Sequence, residues 1–207
     1  MNKNSILLVG AGGHSEACID VIERQKKYKI QGLIGIKNEK NKLVLNKYKI
    51  LGTDDDLIKL SKKIKNALVT VGQIKSADTR LKIFNKLKEL KFNLPIIKSP
   101  HSILSKYSKI GDGTIIMHGA IVGPNVKIGK NCIINSNSLI EHGSTIGDNT
   151  HIATSVTING NVKIGSNVFI GSGTTIKQKI IIGDNSIIEM GQMIFKNCPS
   201  NSFFKKK

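Results

Sequence analysis

Residues 128–152 read "IGKNCIINSNSLIEHGSTIGDNTHI", with Ile128, Ile134, Ile140, Ile146 and Ile152 recurring at every sixth place. The same step reaches Leu104, Ile110, Ile116 and Val122 before this stretch. After it come Ile158, Ile164, Ile170, Ile176, Ile182, Ile188 and Ile194, so sixteen successive aliphatic positions fit one frame. The fifth place of each hexad is mostly small or β-branched, as at Thr114, Ala120, Cys132, Ser138, Ser144, Thr150 and Val162. Turn formers lie between, as in Gly129-Lys130-Asn131, Gly147-Asp148-Asn149 and Gly165-Ser166-Asn167. Neither the period of an amphipathic helix nor the alternation of a half-buried strand yields a strict six. Six residues make one short strand and a turn, with the aliphatic residue inward and the small one keeping the prism narrow. Only stacked repeats can bury such an isoleucine column.

The front third has a different rhythm. Ile6-Leu7-Leu8-Val9 reads as a strand buried on both faces, followed by Gly10-Ala11-Gly12-Gly13-His14 and a helix near 15–25. Strands near 30–36 and 67–71 and helices near 54–63 and 77–90 complete an alternation that argues for a small parallel α/β sheet. Pro95 and Pro100 flank the boundary, which divides the chain into domains 1–98 and 99–207. Gly10-Ala11-Gly12-Gly13-His14-Ser15 looks like a phosphate loop at a helix N-terminus. As a dinucleotide fingerprint it is incomplete. Ser15 stands where a third Gly or Ala is expected, and Gly35-Ile36-Lys37 supplies no ribose-binding acid after the second strand. An anionic sugar or nucleotide fits better than a nicotinamide cofactor.

The 207 residues carry 32 Lys+Arg against 14 Asp+Glu, a net charge of +18. Only Arg24 and Arg80 are arginines, and the lysines are scattered, whereas groove readers lean on arginine forks. With 4% aromatics there is little to stack on single-stranded nucleic acid, so anionic small molecules are the expected partners. No apolar run is long enough to span a bilayer, and no secretory signal is evident. Cys18, Cys132 and Cys198 are odd in number and far apart, which suits a reducing cytoplasm rather than a disulfide framework.

The hexad array resembles the hexapeptide-repeat family of acyltransferases. That resemblance implies a left-handed parallel β-helix with about five coils over 104–197. The handedness comes from the family alone, since the general rule for parallel crossovers favours the right. A short Rossmann-like domain opening "VGAGGHSE" (Val9–Glu16) and followed by such coils resembles the bacterial sugar acetyltransferases that modify sialic acids and 4-amino nucleotide sugars. The segment "INSNSLIEHGSTIG" (Ile134–Gly147) is the part most specific to them.

The resemblance implies acetyl-CoA as co-substrate, a sugar or nucleotide-sugar acceptor and a cytoplasmic homotrimer with active sites between subunits. It puts the catalytic base on His142, which stands in the third place of its hexad and points out of the prism. An imidazole titrates near neutrality and can take the proton of an attacking hydroxyl or amine. Glu141 precedes it where amino-sugar members have an acid after it, so Glu141 is the candidate orienting carboxylate, and "EHG" points toward the sialic-acid branch. Gly160 matches a backbone N–H facing the thioester oxygen, a donor typically worth about 3 kcal/mol to an oxyanion. His151, Asn135, Ser172 and Met190 are the candidate coenzyme contacts; Gly12, Gly13, His14 and Gly52 are the candidate acceptor contacts.

His142 and His151 are nine residues apart, half of an 18-residue coil, and so lie on opposite sides of one prism. Three prisms about a threefold axis can bring one chain's His142 near the next chain's His151. A zinc site needs converging imidazoles, and His118 falls on another side of the prism from His142, so no metal is expected. His101 reads as structural, Cys132 as core, and the Lys205-Lys206-Lys207 end as either a phosphate contact or a solubilising tail. The leading expectation is O-acetylation of a sialic acid or related nonulosonic acid. The alternatives are N-acetylation of a UDP-4-amino sugar and a non-catalytic trimeric scaffold.

Overall fold

Alternate residues of Ile6-Leu7-Leu8-Val9 are buried in two different cores, one on each face of strand β1 (Ser5–Val9). The computed structural model describes residues 4–205. Helix α1 (Gly13–Gln25) follows β1, then β2 (Lys29–Ile34), β3 (Leu43–Val44), β4 (Tyr48–Gly52), α2 (Leu57–Ser61), β5 (Asn66–Val69) and α3 (Asp78–Glu89). The sheet order is β3-β4-β2-β1-β5, parallel except for β3, which is antiparallel to β4 at the edge. The sequence reading missed β3 and β4, because only Val44, Ile50 and Gly52 of this short hairpin are buried, too few to set an alternation. It also merged two pieces into one helix over 54–63. Asp54–Asp56 forms a separate 3₁₀ turn, and the Asp56 carboxylate accepts the Thr53 N–H at 3.0 Å before α2 begins.

The second part is a left-handed parallel β-helix with faces of seven, six and five two-residue strands. The chain enters it at β6 (Ile97–Lys98), which pairs with Ile115–Ile116 and lies just inside the bounds expected for the first domain. A last strand at Phe203–Phe204 extends the seven-strand face beyond the expected 197. From Ile97 to Ile194 strand residues pair at a separation of 18 positions, so Ile128, Ile146, Ile164 and Ile182 form one stacked interior column. From Gly113 to Gly191 the fourth place of every hexad is left-handed, usually Asn or Gly, the residues that adopt such a turn at least cost.

The residue before each inward isoleucine points outward, and its chemistry differs by face. On the five-strand face these residues include Lys109, Lys127 and Lys163, all exposed. On the seven-strand face they include Ile115 and Ile133, both fully buried. Together with Met117 they share a core with Cys18, Ile19 and Ile22 of α1. Helix α1 is therefore packed between its own sheet and the prism, which sets its N-terminal glycine loop beside the seven-strand face. No helix among the described residues is long and apolar enough to cross a membrane.

Candidate active site

The glycine loop is shaped by two different demands. A side chain at Gly10 (φ +120°) would bring its Cβ within 2.6–2.9 Å of Thr70 and Val71, so only glycine fits. Around Gly12 there is open space instead. Ser15, in the place of the expected third small residue, is buried and uses its hydroxyl locally. Its Oγ–H donates to the Gly12 carbonyl at 2.7 Å, and its N–H donates to the same oxygen at 2.8 Å. Gly10, Ala11 and Gly12 form one wall of a cavity of about 860 Å³, which Lys37, Lys40, Glu39, Asp54, Asp55 and Asp56 also line. The helix start reaches this cavity at Gly12, the residue before α1, and a helix N-terminus favours an anion.

The other acceptor candidates sit apart from that cavity's lining. Gly52 is buried at the end of β4, where a Cβ would collide with the Asp56 side chain that caps the next turn. Gly13 opens α1, and His14 turns toward the prism. The His14 ring centroid is 6.4 Å from that of His151, and its Nε2 is 3.5 Å from Cys18 Sγ. Burial, then Arg80, then His151 push His14 down to about 3.

His151 is itself buried on the seven-strand face. Its Nδ1–H donates to the Gln73 carbonyl at 2.7 Å, which leaves Nε2 as an acceptor facing the Asn135 amide at 3.4 Å. Phe169 packs edge-on at 5.3 Å. Burial holds His151 at about 4, against the raising effect of the Gln73 bond. Both imidazoles are therefore neutral in the native protein but bind protons near 6.5 when unfolded. The unfolded chain then binds more protons below that value, so stability is full above about pH 6.5 and falls as pH drops toward 4. We expect the melting temperature to decline between pH 6.5 and 4, and a His151→Phe variant to flatten that decline. An unchanged slope in the variant would mean His151 is not the group that titrates.

His142 stands exposed on the corner between the six- and five-strand faces. Its ring lies directly over Gly160, where a Cβ would come within 2.6 Å of Cε1 and 2.7 Å of Nε2. The Glu141 carboxylate accepts the backbone N–H of His142 at 3.4 Å, and among the described residues it makes no bond to the imidazole. Gly160→Ala should leave the fold intact, because a solvent-facing ring can swing away, but it should move the imidazole and depress turnover. Normal turnover with unchanged stability would show that the ring's seat on Gly160 is immaterial.

The coenzyme candidates lie elsewhere in the same chain. Asn135, half-buried Ser172 and exposed Met190 mark the corner between the seven- and six-strand faces. Gly173 and Gly191 make a bare ledge there, with no atom near a built Cβ at either. One chain thus sets the candidate base and the candidate coenzyme contacts at the two corners flanking its six-strand face, and it does not bring His142 together with His151.

Several residues that organise this region escaped the sequence reading. Gln73 and Arg80 join the first domain to the coils, and Asn131 receives Arg80 through both its carbonyl and its side-chain oxygen. His118 bridges Ser99 Oγ at 2.6 Å and Asp20 Oδ2 at 2.7 Å, which pins α1 to the first coil. Cys18, Cys132 and Cys198 are buried free thiols, and burial raises Cys18 and Cys132 to about 12, so neither is a nucleophile. Among the described residues no group of three or more His, Cys, Asp or Glu could hold a metal ion. Lys206 and Lys207 lie outside the described residues.

Residues 5–87 match the family model of the PglD N-terminal domain. Residues 107–142, 125–160 and 143–178 match bacterial transferase hexapeptide (six repeats), and 161–196 match the hexapeptide repeat of succinyl-transferase. No curated protein matches the chain at a significant level. Among solved structures it is similar to PerB from Caulobacter crescentus in complex with CoA and GDP-perosamine. That similarity has a TM-score of 0.89 and 21% identity, over 96% of this chain and 92% of that one. It is similar also to the acetyltransferase domain of PglB from Neisseria gonorrhoeae FA1090 in complex with acetyl coenzyme A, with a TM-score of 0.89 and 23% identity over 98% and 96%. WeeI from Acinetobacter baumannii AYE matches with a TM-score of 0.65 and 21% identity over 96% and 95%. At these identities the likeness establishes the fold.

Proposed function

We propose that this chain, which joins a PglD N-terminal domain to hexapeptide repeats of the bacterial transferase type, transfers acetyl from acetyl-CoA to the amine of a nucleotide-linked amino sugar. The observation that carries this reading is the glycine-loop cavity at the N-terminus of α1, in the same chain as a coil corner that seats an exposed imidazole on Gly160. A nucleoside diphosphate offers that loop a pyrophosphate, whereas a free sialic acid offers only one carboxylate. PerB, of the same fold, was solved with CoA and GDP-perosamine. On both grounds we favour N-acetylation over the sialic-acid O-acetylation that "EHG" pointed toward.

In this reading His142 takes the proton of the attacking amine and returns it to the departing thiolate. The Gly160 N–H, which makes no backbone hydrogen bond among the described residues, faces the carbonyl oxygen as negative charge develops. Lys37 and Lys40 meet the acceptor's phosphates. Acetyl-CoA lies along the six-strand face toward Ser172, Met190 and the Gly173–Gly191 ledge. A neighbouring prism in a homotrimer completes each site, because the two half-sites of one chain occupy different corners.

The test is thiol release from acetyl-CoA with GDP- and UDP-linked 4-amino sugars and with free sialic acid, each product then treated with hydroxylamine. We expect release with a nucleotide amino sugar and a product resistant to hydroxylamine, as an amide is. A hydroxylamine-labile product on sialic acid would restore O-acetylation, and no release with any acceptor would leave a scaffold. Gly12→Leu, which has room to fold, should raise the acceptor KM several-fold while the acetyl-CoA KM stays put. Equal losses for both substrates would make the loop a folding element instead.

A further inference from the structure

Cations in this chain are almost all lysine, so each arginine marks a place where a planar, multi-donor head is used. Arg24 pairs with Asp20 at 3.0 Å. Arg80, in the first turn of α3, is 1% exposed and has no carboxylate partner among the described residues. Its Nη1 donates to the carbonyls of Val69 at 3.2 Å and Val71 at 2.6 Å. Its Nη2 donates to the Asn131 carbonyl at 3.1 Å and side-chain oxygen at 2.8 Å. The buried Nε has no hydrogen-bond partner among the described residues. Burial draws the guanidinium down to about 10, so it is cationic at neutral pH. A buried charge held only by neutral acceptors is costly, and an apolar residue would fill the space at less cost if packing were the only requirement.

The position of the charge supplies the reason for keeping it. Val71 lines the glycine-loop cavity, and a Cβ on Gly10 would fall 2.8 Å from the Val71 nitrogen. The Thr70 hydroxyl donates to the Gly10 carbonyl at 2.6 Å. The guanidinium therefore lies immediately behind the wall that carries the loop, while Asn131 ties it to the coils. Arg80 acts on the titration of His14, His151, Cys18 and Cys132, and burial keeps both histidines and both thiols neutral. Nothing ionised in that set offsets it. In the cavity lining Glu39, Asp54, Asp55 and Asp56 outnumber Lys37 and Lys40, so a phosphate there needs a further cation. Water screens the exposed Lys37 and Lys40, but not a charge in this low-dielectric setting.

We propose that Arg80 is a positioning residue for the acceptor: it fixes the strand end behind the glycine loop to the prism and supplies the buried counter-charge for the acceptor's phosphates. This inference rests on the cavity being the nucleotide-sugar site. The experiment titrates the full-length protein and its Arg80→Gln and Arg80→Lys variants with GDP, UDP and acetyl-CoA by calorimetry, with circular dichroism to confirm folding. Wild type should bind a diphosphate, and Arg80→Gln should weaken that binding by about tenfold or more while acetyl-CoA affinity stays within about twofold. Arg80→Lys, which keeps the charge and loses the fork, should melt lower yet retain diphosphate affinity within about threefold. A folded Arg80→Gln protein that binds the diphosphate like wild type overturns the inference and leaves the cavity reading standing. Wild type that binds neither diphosphate removes both. Should Arg80→Gln fail to fold, Arg80→Lys decides: retained diphosphate binding supports the counter-charge, and its loss in a folded protein overturns it.

Discussion

His142→Ala should lower kcat by about 10²–10⁴ and leave acetyl-CoA binding close to wild type, the range for loss of a positioned general base. The variant should also be as stable as wild type. The ring is exposed, makes no hydrogen bond among the described residues and rests on a glycine, so its removal opens no cavity. That separation between turnover and stability makes the test sharp. His151→Ala is the contrast, because it strips a buried ring from Gln73, Asn135 and Phe169 and should cost stability as well as coenzyme binding. Glu141→Gln should leave the acidic limb of the pH profile in place, since its carboxylate reaches a backbone N–H rather than the imidazole. Full turnover of His142→Ala on its acceptor would remove the mechanism and leave the fold.

Ile146→Asp should abolish the folded coils. Ile146 is 3% exposed in the column between Ile128 and Ile164, and every side chain it stacks on there is aliphatic. An unpaired carboxylate in that position costs several kcal/mol or must be protonated, against a total stability of about 5–15 kcal/mol for a typical domain. In a stacked array each coil is templated by its neighbours, so the damage should spread rather than stay local. Circular dichroism should show loss of the β signal and of cooperative melting. A variant that melts within a few degrees of wild type would mean that the column tolerates hydration.

The 18-residue coil came with the family resemblance. The period of six was enough to establish the stacked repeats, the inward isoleucines and the outward place of His142, because each of these follows from interactions between near-identical neighbours. The glycine loop was legible for the same reason: its conformational demands are local. Even the docking face left a trace, since the outward residues Ile115 and Ile133 are apolar where Lys109 and Lys127 are charged. The hairpin of β3 and β4 was lost because its inward positions are only Val44, Ile50 and Gly52, too few to set a readable period. Only the tertiary structure decided what meets across the domain junction. Asp20 finds His118 at a separation of 98 residues, Gln73 finds His151 at 78 and Arg80 finds Asn131 at 51. Those pairs depend on α1 being packed between sheet and prism, a placement set by the total apolar area the two domains bury together, and no local pattern of residues encodes it.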